Sequence, residues 1–230
     1  MEFEDTTTPV QAPAPLTAEE ARIIGALIEK EMTVPDYYPL TLNSLVTACN
    51  QTTNREPIMS LGESTVARAV ENLKSRGWIF QVTLAGARVQ KFKHNVAGKF
   101  PRLEKPSIAL LAVLLLRGVQ TVGELRQRSE RLQPFPDLES VEAELRKLIE
   151  YPEGPIAMML PAGGGRRVPA YAQLLTGEPT LVPREVIQEI QAASPALDSL
   201  DQAWKERVEA EIQELKAELS RLKASLGIED

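Results

Sequence analysis

The two side chains best suited to act as a general base or a nucleophile near neutral pH occur once each, as His94 and Cys49. They fall in different predicted elements, and no feature of the sequence brings them together. A protein metal site needs three or four cysteine, histidine or carboxylate ligands, and no spacing here supplies such a set. The glycines 163–165 are not followed by the Lys-Ser/Thr pair of a phosphate-binding loop, so they predict a hairpin tip. The sequence therefore predicts a protein that is not an enzyme and that uses no cofactor and no metal.

A cluster of basic residues is the clearest candidate for binding chemistry. Between Lys74 and Lys105 the chain has eight basic side chains and one acidic one, although its net charge is −6. Lysine and arginine side chains neutralise the phosphates of duplex DNA and release counterions. We expect Arg88, Lys91 and Lys93 to contact phosphates, with an ordinary solvated hairpin as the alternative.

The third predicted helix begins near residue 62, and it presents side chains that can read bases. Its outer face carries Thr65, Arg68 and Asn72, and these residue types hydrogen-bond to base edges in the major groove. Glu63 and Glu71 lie on the same helix and would repel the DNA backbone. We therefore predict groove contacts from Thr65, Arg68 and Asn72, opposed in part by the two glutamates.

Hydrophobic spacing predicts the elements that would position these residues. Thr17 and Glu20 form a capping box that starts the first helix, and two further helices with apolar residues at helical spacing follow it. Two strand-like runs, 78–84 and 88–94, form a hairpin, which we call the wing. Three helices and a hairpin in this order are typical of a winged helix, a member of the helix-turn-helix class.

The same order of three helices and a hairpin recurs in the next part of the chain. The predicted fold is therefore mainly α with small β-hairpins, an α+β class, in which two tandem winged-helix domains are followed by a long C-terminal amphipathic helix. The predicted boundaries are a disordered tail at 1–15, a first winged-helix domain at 16–100, a second at 101–180 and a C-terminal helical, coiled-coil segment at 181–230.

The C-terminal segment carries an apolar seam with the spacing of a coiled coil. Six aliphatic side chains step by four and three residues in turn: Val208, Ile212, Leu215, Leu219, Leu222 and Leu226. The seam covers about 2.5 heptads, fewer than the roughly 3–4 that an independent coiled coil needs. A lone helix is marginal in water, so either a second copy of the chain or the protein's own domains must bury the seam. We expect a homodimer through this helix.

Three features predict a cytoplasmic protein that does not enter a membrane. No apolar run approaches the roughly 20 residues that span a bilayer. The N-terminus lacks the basic-then-apolar pattern of a signal peptide. The single cysteine excludes an internal disulfide and suits a reducing compartment.

A polar stretch, residues 50–57, separates the second and third predicted helices. It is longer than the tight turn of a minimal helix-turn-helix. Asn50, Asn54 and Arg55 have the chemistry to contact a partner from this stretch, and they have equally the chemistry to hydrogen-bond the local backbone, as asparagine does in turns. The sequence leaves both interpretations open.

Several long motifs give this sequence a family likeness. They are Glu29-Lys30-Glu31, Thr33-Val34-Pro35-Asp36-Tyr37-Tyr38-Pro39-Leu40, Ala48-Cys49-Asn50-Gln51-Thr52-Thr53-Asn54-Arg55-Glu56-Pro57-Ile58-Met59 and Gly86-Ala87-Arg88-Val89-Gln90-Lys91-Phe92-Lys93-His94. With these motifs the chain resembles the YceH family of bacterial proteins, and the likeness covers residues 16–171. The resemblance implies two winged-helix domains, and it implies no mechanism.

Two functions from different classes fit these features. The first is a DNA-binding accessory or regulatory protein, in which the third helix and the basic wing of the first domain lead. The alternative is a protein–protein interaction scaffold that uses tandem winged helices without direct DNA binding, similar in kind to ScpB. A continuous positive face over the third helix and the wing would favour DNA, and an interrupted one would favour a protein partner.

Overall fold

The first half of the described chain consists of three helices and a small antiparallel sheet. The structure is a computed structural model that describes residues 14–83, 89–162 and 167–179. In chain order the elements are α1 (Ala18–Thr33), a single 3-10 turn (Pro35–Tyr37), β1 (Leu40–Thr41), α2 (Leu42–Cys49), α3 (Glu63–Ser75), β2 (Ile79–Val82) and β3 (Lys91–His94). The strand order is β1-β3-β2. The wing therefore pairs with a third strand, β1, which the sequence does not reveal because two residues carry no alternating pattern.

The second half repeats this order. Its elements are α4 (Val96–Lys99), a single turn that connects the halves, then α5 (Lys105–Arg117), α6 (Val122–Ser129), α7 (Leu138–Ile149), β4 (Ala157–Leu160) and β5 (Ala170–Gln173). Strands β4 and β5 form an antiparallel hairpin. Gln120, which precedes α6, forms an isolated antiparallel bridge with Tyr171 of β5. This bridge occupies the place that β1 has in the first half.

Threonine side chains fix the start of the first two helices in the first half and of α6 in the second. The capping box predicted for Thr17 and Glu20 is present at the start of α1. Thr41 accepts a hydrogen bond from the backbone N–H of Ser44 at the start of α2. Thr121 does the same at α6, where Glu124 completes a second capping box. These side chains satisfy backbone donors that have no partner within the helix.

Helix α5 is the centre of the fold because it is apolar on every side. Every residue from Ser107 to Leu116 is buried, which is the pattern of a helix enclosed by other elements rather than lying on a surface. Helices α1, α6 and α7 and strand β5 pack around it. The hydrophobic core is continuous from Leu16 to Tyr171, and the described residues belong to one compact unit.

The predicted fold class, mainly α with small hairpins, is confirmed. The boundary predicted at residue 100 falls inside the compact unit that ends at Thr180, and the division into two domains stays a prediction. The predicted tail lies almost wholly outside the described residues, and the C-terminal segment with its seam lies entirely outside them. In the part of the chain that is described, no helix is long and apolar enough to cross a membrane.

Gly25 permits the close approach of α1 to α5. A Cβ atom placed at Gly25 would lie 2.9 Å from Leu116 Cγ and 3.1 Å from Leu115 Cβ. The second of these atoms is fixed to the α5 backbone and has no rotamer that would remove it. A larger residue at this position must therefore push the two helices apart.

We expect Gly25→Val to lower the free energy of unfolding by about 1–3 kcal/mol, the usual cost of adding atoms to a packed core. Gly123→Ala on α6 is the matched control, because a Cβ atom there meets nothing within 4 Å. It should leave stability unchanged or raise it by up to about 1 kcal/mol, since alanine favours a helix more than glycine does. Urea unfolding followed by circular dichroism measures both, and equal stability of the two variants would contradict the packing.

Candidate nucleic-acid interface

The outer face of the wing carries the lysines that the sequence predicts as phosphate contacts. Lys91 and Lys93 alternate with buried Phe92 along β3, so both lie on the face away from the core. The Nζ atom of Lys93 lies 5.8 Å from the centre of the Phe80 ring, and 46% of Phe80 is exposed. Neither lysine forms a salt bridge with a residue that the structure describes. Arg88, the third predicted phosphate contact, lies outside the described residues.

The outer face of α3 lies beside the start of α1, and the two helices enclose a shallow groove. We call it the α3 groove, and the predicted base contacts Thr65, Arg68 and Asn72 all line it. Among the described residues that line the groove, Arg68 is the one guanidinium, and the carboxylates are those of Glu19, Glu20 and Glu71. The face that would have to enter the major groove of DNA is therefore more acidic than basic.

Glu20 organises the α3 groove. Glu20 is buried, with only 1% of its surface exposed. It accepts a hydrogen bond from Asn72 Nδ2 at 2.5 Å and from Arg76 Nη1 at 3.0 Å. Lys74 Nζ, in the last turn of α3, lies 2.9 Å from Glu71 Oε1. The basic residues at this end of α3 are thus paired with acids.

These contacts interrupt the positive face. The wing keeps unpaired lysines, but the α3 groove does not continue their charge. The amide nitrogen of Asn72 is occupied by Glu20, a residue 52 positions away in sequence, so no local pattern could reveal the contact. Base contact by Thr65, Arg68 and Asn72 stays a prediction. In the structure these three residues lie beside carboxylates.

A buried ion pair anchors the polar stretch before α3, residues 50–57, to the core. Arg55 is 4% exposed and donates to both carboxylate oxygens of Glu29, at 3.2 and 2.6 Å. It also donates to the Ala48 carbonyl at the end of α2. Paired, bidentate geometry of this kind is what a buried charge requires. Arg55 therefore hydrogen-bonds local groups of the fold. Of the two interpretations of this stretch, partner contact and local hydrogen bonding, the second applies to Arg55.

A second buried arginine and an asparagine complete the support of this loop. Arg22, 1% exposed, donates to the carbonyl oxygens of Cys49 at 3.1 Å and Pro57 at 2.5 Å. The Asn50 side chain exchanges two hydrogen bonds of 2.8 Å with the backbone of Leu61. The loop is thereby clamped at three points. Asn54 differs, because its side-chain oxygen accepts from Arg117 Nη1 at 3.0 Å, in the other half of the fold.

The two residues considered for catalysis lie in separate settings. His94 Nε2 is 2.7 Å from Glu31 Oε2, and the His94 backbone N–H donates to the Tyr38 hydroxyl. Cys49 is fully buried, and this burial raises the pKa of its thiol to about 12. A thiol with this pKa is a poor nucleophile near neutral pH. Among the described residues no group of three or more His, Cys, Asp or Glu side chains is placed to hold a metal ion.

The charged residues of α1 are the part of this surface that sequence reasoning missed. Arg22 and Glu29 lie within the buried stretch of α1 and stand seven positions apart, so both lie on the same face. Charges on an apolar face need buried partners. That signal could have pointed to paired partners elsewhere in the chain, though not to which ones.

We expect Arg55→Met to lower the free energy of unfolding by about 3–5 kcal/mol, because Glu29 would be left buried without its bidentate partner and with only Lys30 at 3.6 Å. Arg102→Met is the control, since Arg102 and Glu153 form an ion pair with side chains 61% and 57% exposed. Removing such a surface pair should cost less than about 1 kcal/mol. Guanidinium unfolding of both variants checks this, and a loss as small for Arg55 as for Arg102 would refute the buried pair.

Comparisons with known proteins agree with the family likeness of the sequence. Residues 16–166 match a family described as "Protein of unknown function, DUF480". UPF0502 proteins of Geobacter metallireducens and Geotalea daltonii are 49% and 48% identical over 164 residues, which is 71% of this chain and 74% of each relative. A UPF0502 protein of Geotalea uraniireducens is 47% identical over 174 residues, 76% of this chain and 78% of the relative. The likeness to the YceH proteins is confirmed, and the chain belongs to their family, DUF480 or UPF0502.

Proposed function

We propose that this chain is a non-enzymatic interaction protein, which uses two winged-helix halves to hold a protein partner and does not read duplex DNA. The winged-helix interpretation is supported by the strand order β1-β3-β2 and by the bridge from Gln120 to Tyr171, which repeats that pairing in the second half. In a winged helix the strand between the first two helices pairs with the hairpin in this way.

The acidic α3 groove is the observation that carries the proposal. A recognition helix enters the major groove with phosphates on both sides. Glu19 and Glu71 would then approach those phosphates, and Arg68 is the one cation among the described residues that line the groove. Glu20 is buried and paired with Arg76. Like charges brought together at a desolvated interface cost several kcal/mol. The interrupted positive face therefore favours the scaffold, the alternative that the sequence left open.

The outer face of the wing is the surface that we assign to the partner. Phe80 is an exposed aromatic residue flanked by Lys93, and aromatic side chains dominate the energetics of protein interfaces. Strand β2 is at the edge of its sheet, so its outer backbone groups are available for pairing with another chain. A partner surface with apolar and acidic side chains fits this face.

Phosphate contact by the wing is the second candidate. It is favoured by Lys91 and Lys93, which are unpaired within the described residues. Such a contact would hold the DNA backbone without selecting a sequence. The cytoplasmic location and the homodimer through the C-terminal helix belong to the proposal as predictions from sequence.

Site-specific photo-crosslinking tests the protein partner. A benzophenone amino acid replaces Phe80 in cells that carry the gene, and it replaces Leu138, 47% exposed on α7, as the control. We expect one discrete protein adduct from position 80 and none from position 138, because only the wing contacts the partner. The adduct should disappear when Lys91→Glu/Lys93→Glu is added. Adducts of equal yield at both positions would refute the assignment of the wing.

Fluorescence anisotropy with mixed duplex DNA separates the two candidates. We expect no saturable binding at physiological salt by the wild type, because the α3 groove repels phosphates. Arg146→Glu/Lys147→Glu on α7 matches the charge change of Lys91→Glu/Lys93→Glu. Micromolar binding that weakens steeply with salt, that is lost in the wing variant and that is retained in the α7 variant would overturn the proposal in favour of DNA.

A further inference from the structure

A cleft between the two halves concentrates positive charge. The end of α1 and the loop after α2 form one wall, and α5 and α6 form the other. Its volume is about 460 Å³, within the range of small-molecule sites, roughly 300–1,000 Å³. Four cations line it, one from the first half and three from the second: Lys30, Arg117, Arg128 and Arg131. We call it the basic cleft.

The charge of the basic cleft is not balanced by its own acids. Glu29 is the only carboxylate among the described residues that line it. Arg55 binds both of its oxygens from behind, and Lys30 lies 3.6 Å from one of them. Glu124 lies at the edge, 43% exposed, where it pairs with Arg128 at 3.3 Å. In a protein whose net charge is −6, this excess of cations at one concave site is a local feature of the fold.

Neutral side chains hold several of these cations in place. Arg117 Nη1 donates to Asn54 Oδ1 at 3.0 Å, and Arg128 Nη1 donates to Gln120 Oε1 at 2.9 Å. Lys30 Nζ donates to Gln51 Oε1 at 3.3 Å. An amide orients a cation without neutralising it, so the charge of Arg117 stays available to a ligand. Arg128 and Lys30 also lie near carboxylates, 3.3 Å from Glu124 and 3.6 Å from Glu29.

Arg117 is the most constrained member of the group. Burial lowers the pKa of its guanidinium, and the nearby charge of Arg128 lowers it further. Its Nε atom is buried and has no hydrogen-bond partner among the described residues. An anion beside Arg117 and Arg128 would offset the repulsion between their two charges.

We propose that the basic cleft binds a small phosphorylated ligand that also carries an apolar ring. Guanidinium groups bind phosphate oxygens in a bidentate manner, and several cations suit a ligand with more than one negative charge. The apolar part of the lining comes from Val113, Leu116 and Leu132, each at most 9% exposed, and a ring would contact the edges of these side chains that reach the cleft. A nucleoside diphosphate has this chemistry and this size.

Such a ligand would join the two halves. The cations come from α1 on one side and from α5, α6 and the turn after α6 on the other, with Asn54 and Gln51 of the loop beside them. Binding to the folded state alone raises stability by mass action. This inference is independent of the proposed partner on the wing.

Calorimetric titration and thermal unfolding with three probes test the proposal: inorganic pyrophosphate, ADP and adenosine. We expect pyrophosphate to bind and to raise Tm, ADP to bind more tightly because its ring contacts the apolar lining, and adenosine alone to bind weakly. Lys30→Gln/Arg131→Gln removes one cation from each half. Lys30 lies 3.6 Å from the buried Glu29, and both oxygens of Glu29 stay bound by Arg55 in this variant. This variant should bind pyrophosphate and ADP at least about tenfold more weakly, since hydrogen bonds to charged groups contribute roughly 1.5–3 kcal/mol each.

Arg146→Gln/Lys147→Gln is the control, because it removes two exposed cations of α7 outside the cleft. It should bind both phosphorylated probes like the wild type. Failure of pyrophosphate and ADP to bind the wild type would overturn the proposal, as would equal weakening in the two variants. A different result would point to DNA: duplex DNA would compete with pyrophosphate for the wild type, and Lys30→Gln/Arg131→Gln would no longer bind the duplex. The cleft would then hold a nucleic-acid backbone instead.

Discussion

Helices α1 and α5 approach so closely at Gly25 that a side chain there would meet the backbone-proximal atoms of α5, and the rest of the structure is arranged around this contact. Each helix is the first long helix of its half, and each carries the other two helices and the strands of that half on its remaining faces. The packing makes one continuous core from two similar halves. It also fixes the distance between the loop after α2 and helix α6, which is the width of the basic cleft.

Buried charge is the second constraint, and it explains the most distinctive motif of the sequence. Burying an arginine is costly unless its donors are satisfied. Arg55 binds Glu29 in a bidentate manner, and the two terminal nitrogens of Arg22 donate to carbonyl oxygens of Cys49 and Pro57. The polar stretch at 50–57 is therefore rigid where it faces the core. Its outward residue, Asn54, adopts a positive φ of 58° and turns its side chain to Arg117. The motif thus forms part of one wall of the cleft. Its buried residue, Arg55, stabilises the fold instead of contacting a ligand.

The charge of the surface is divided among three places with different consequences. The wing has lysines beside an exposed aromatic ring, the α3 groove has an excess of carboxylates, and the cleft has an excess of guanidinium groups. An average over the chain hides this division, since the net charge is negative. The basic segment that attracts attention in the sequence, between Lys74 and Lys105, is split in the fold, because Lys74 and Arg76 are paired with acids of α3 and α1. The cations of the cleft come from residues far apart in sequence that no local count would group.

The sequence by itself determined the α+β class, the repeated order of helices and hairpins, the capping box at Thr17 and the family. These features depend on neighbours within a few positions, such as the spacing of apolar residues along a helix or a threonine three residues before a glutamate. Only the tertiary structure decided that the Asn72 side chain donates a hydrogen bond to Glu20 and that Glu29 pairs with Arg55. It also decided that Lys30 and Arg131 line the same cleft. Each of those contacts joins residues 26 or more positions apart, and their partners are selected by how α1 packs on α3 and α5. Local periodicity carries no information about that choice, because many pairs of opposite charge fit it equally well and only the packing brings one pair within hydrogen-bond distance.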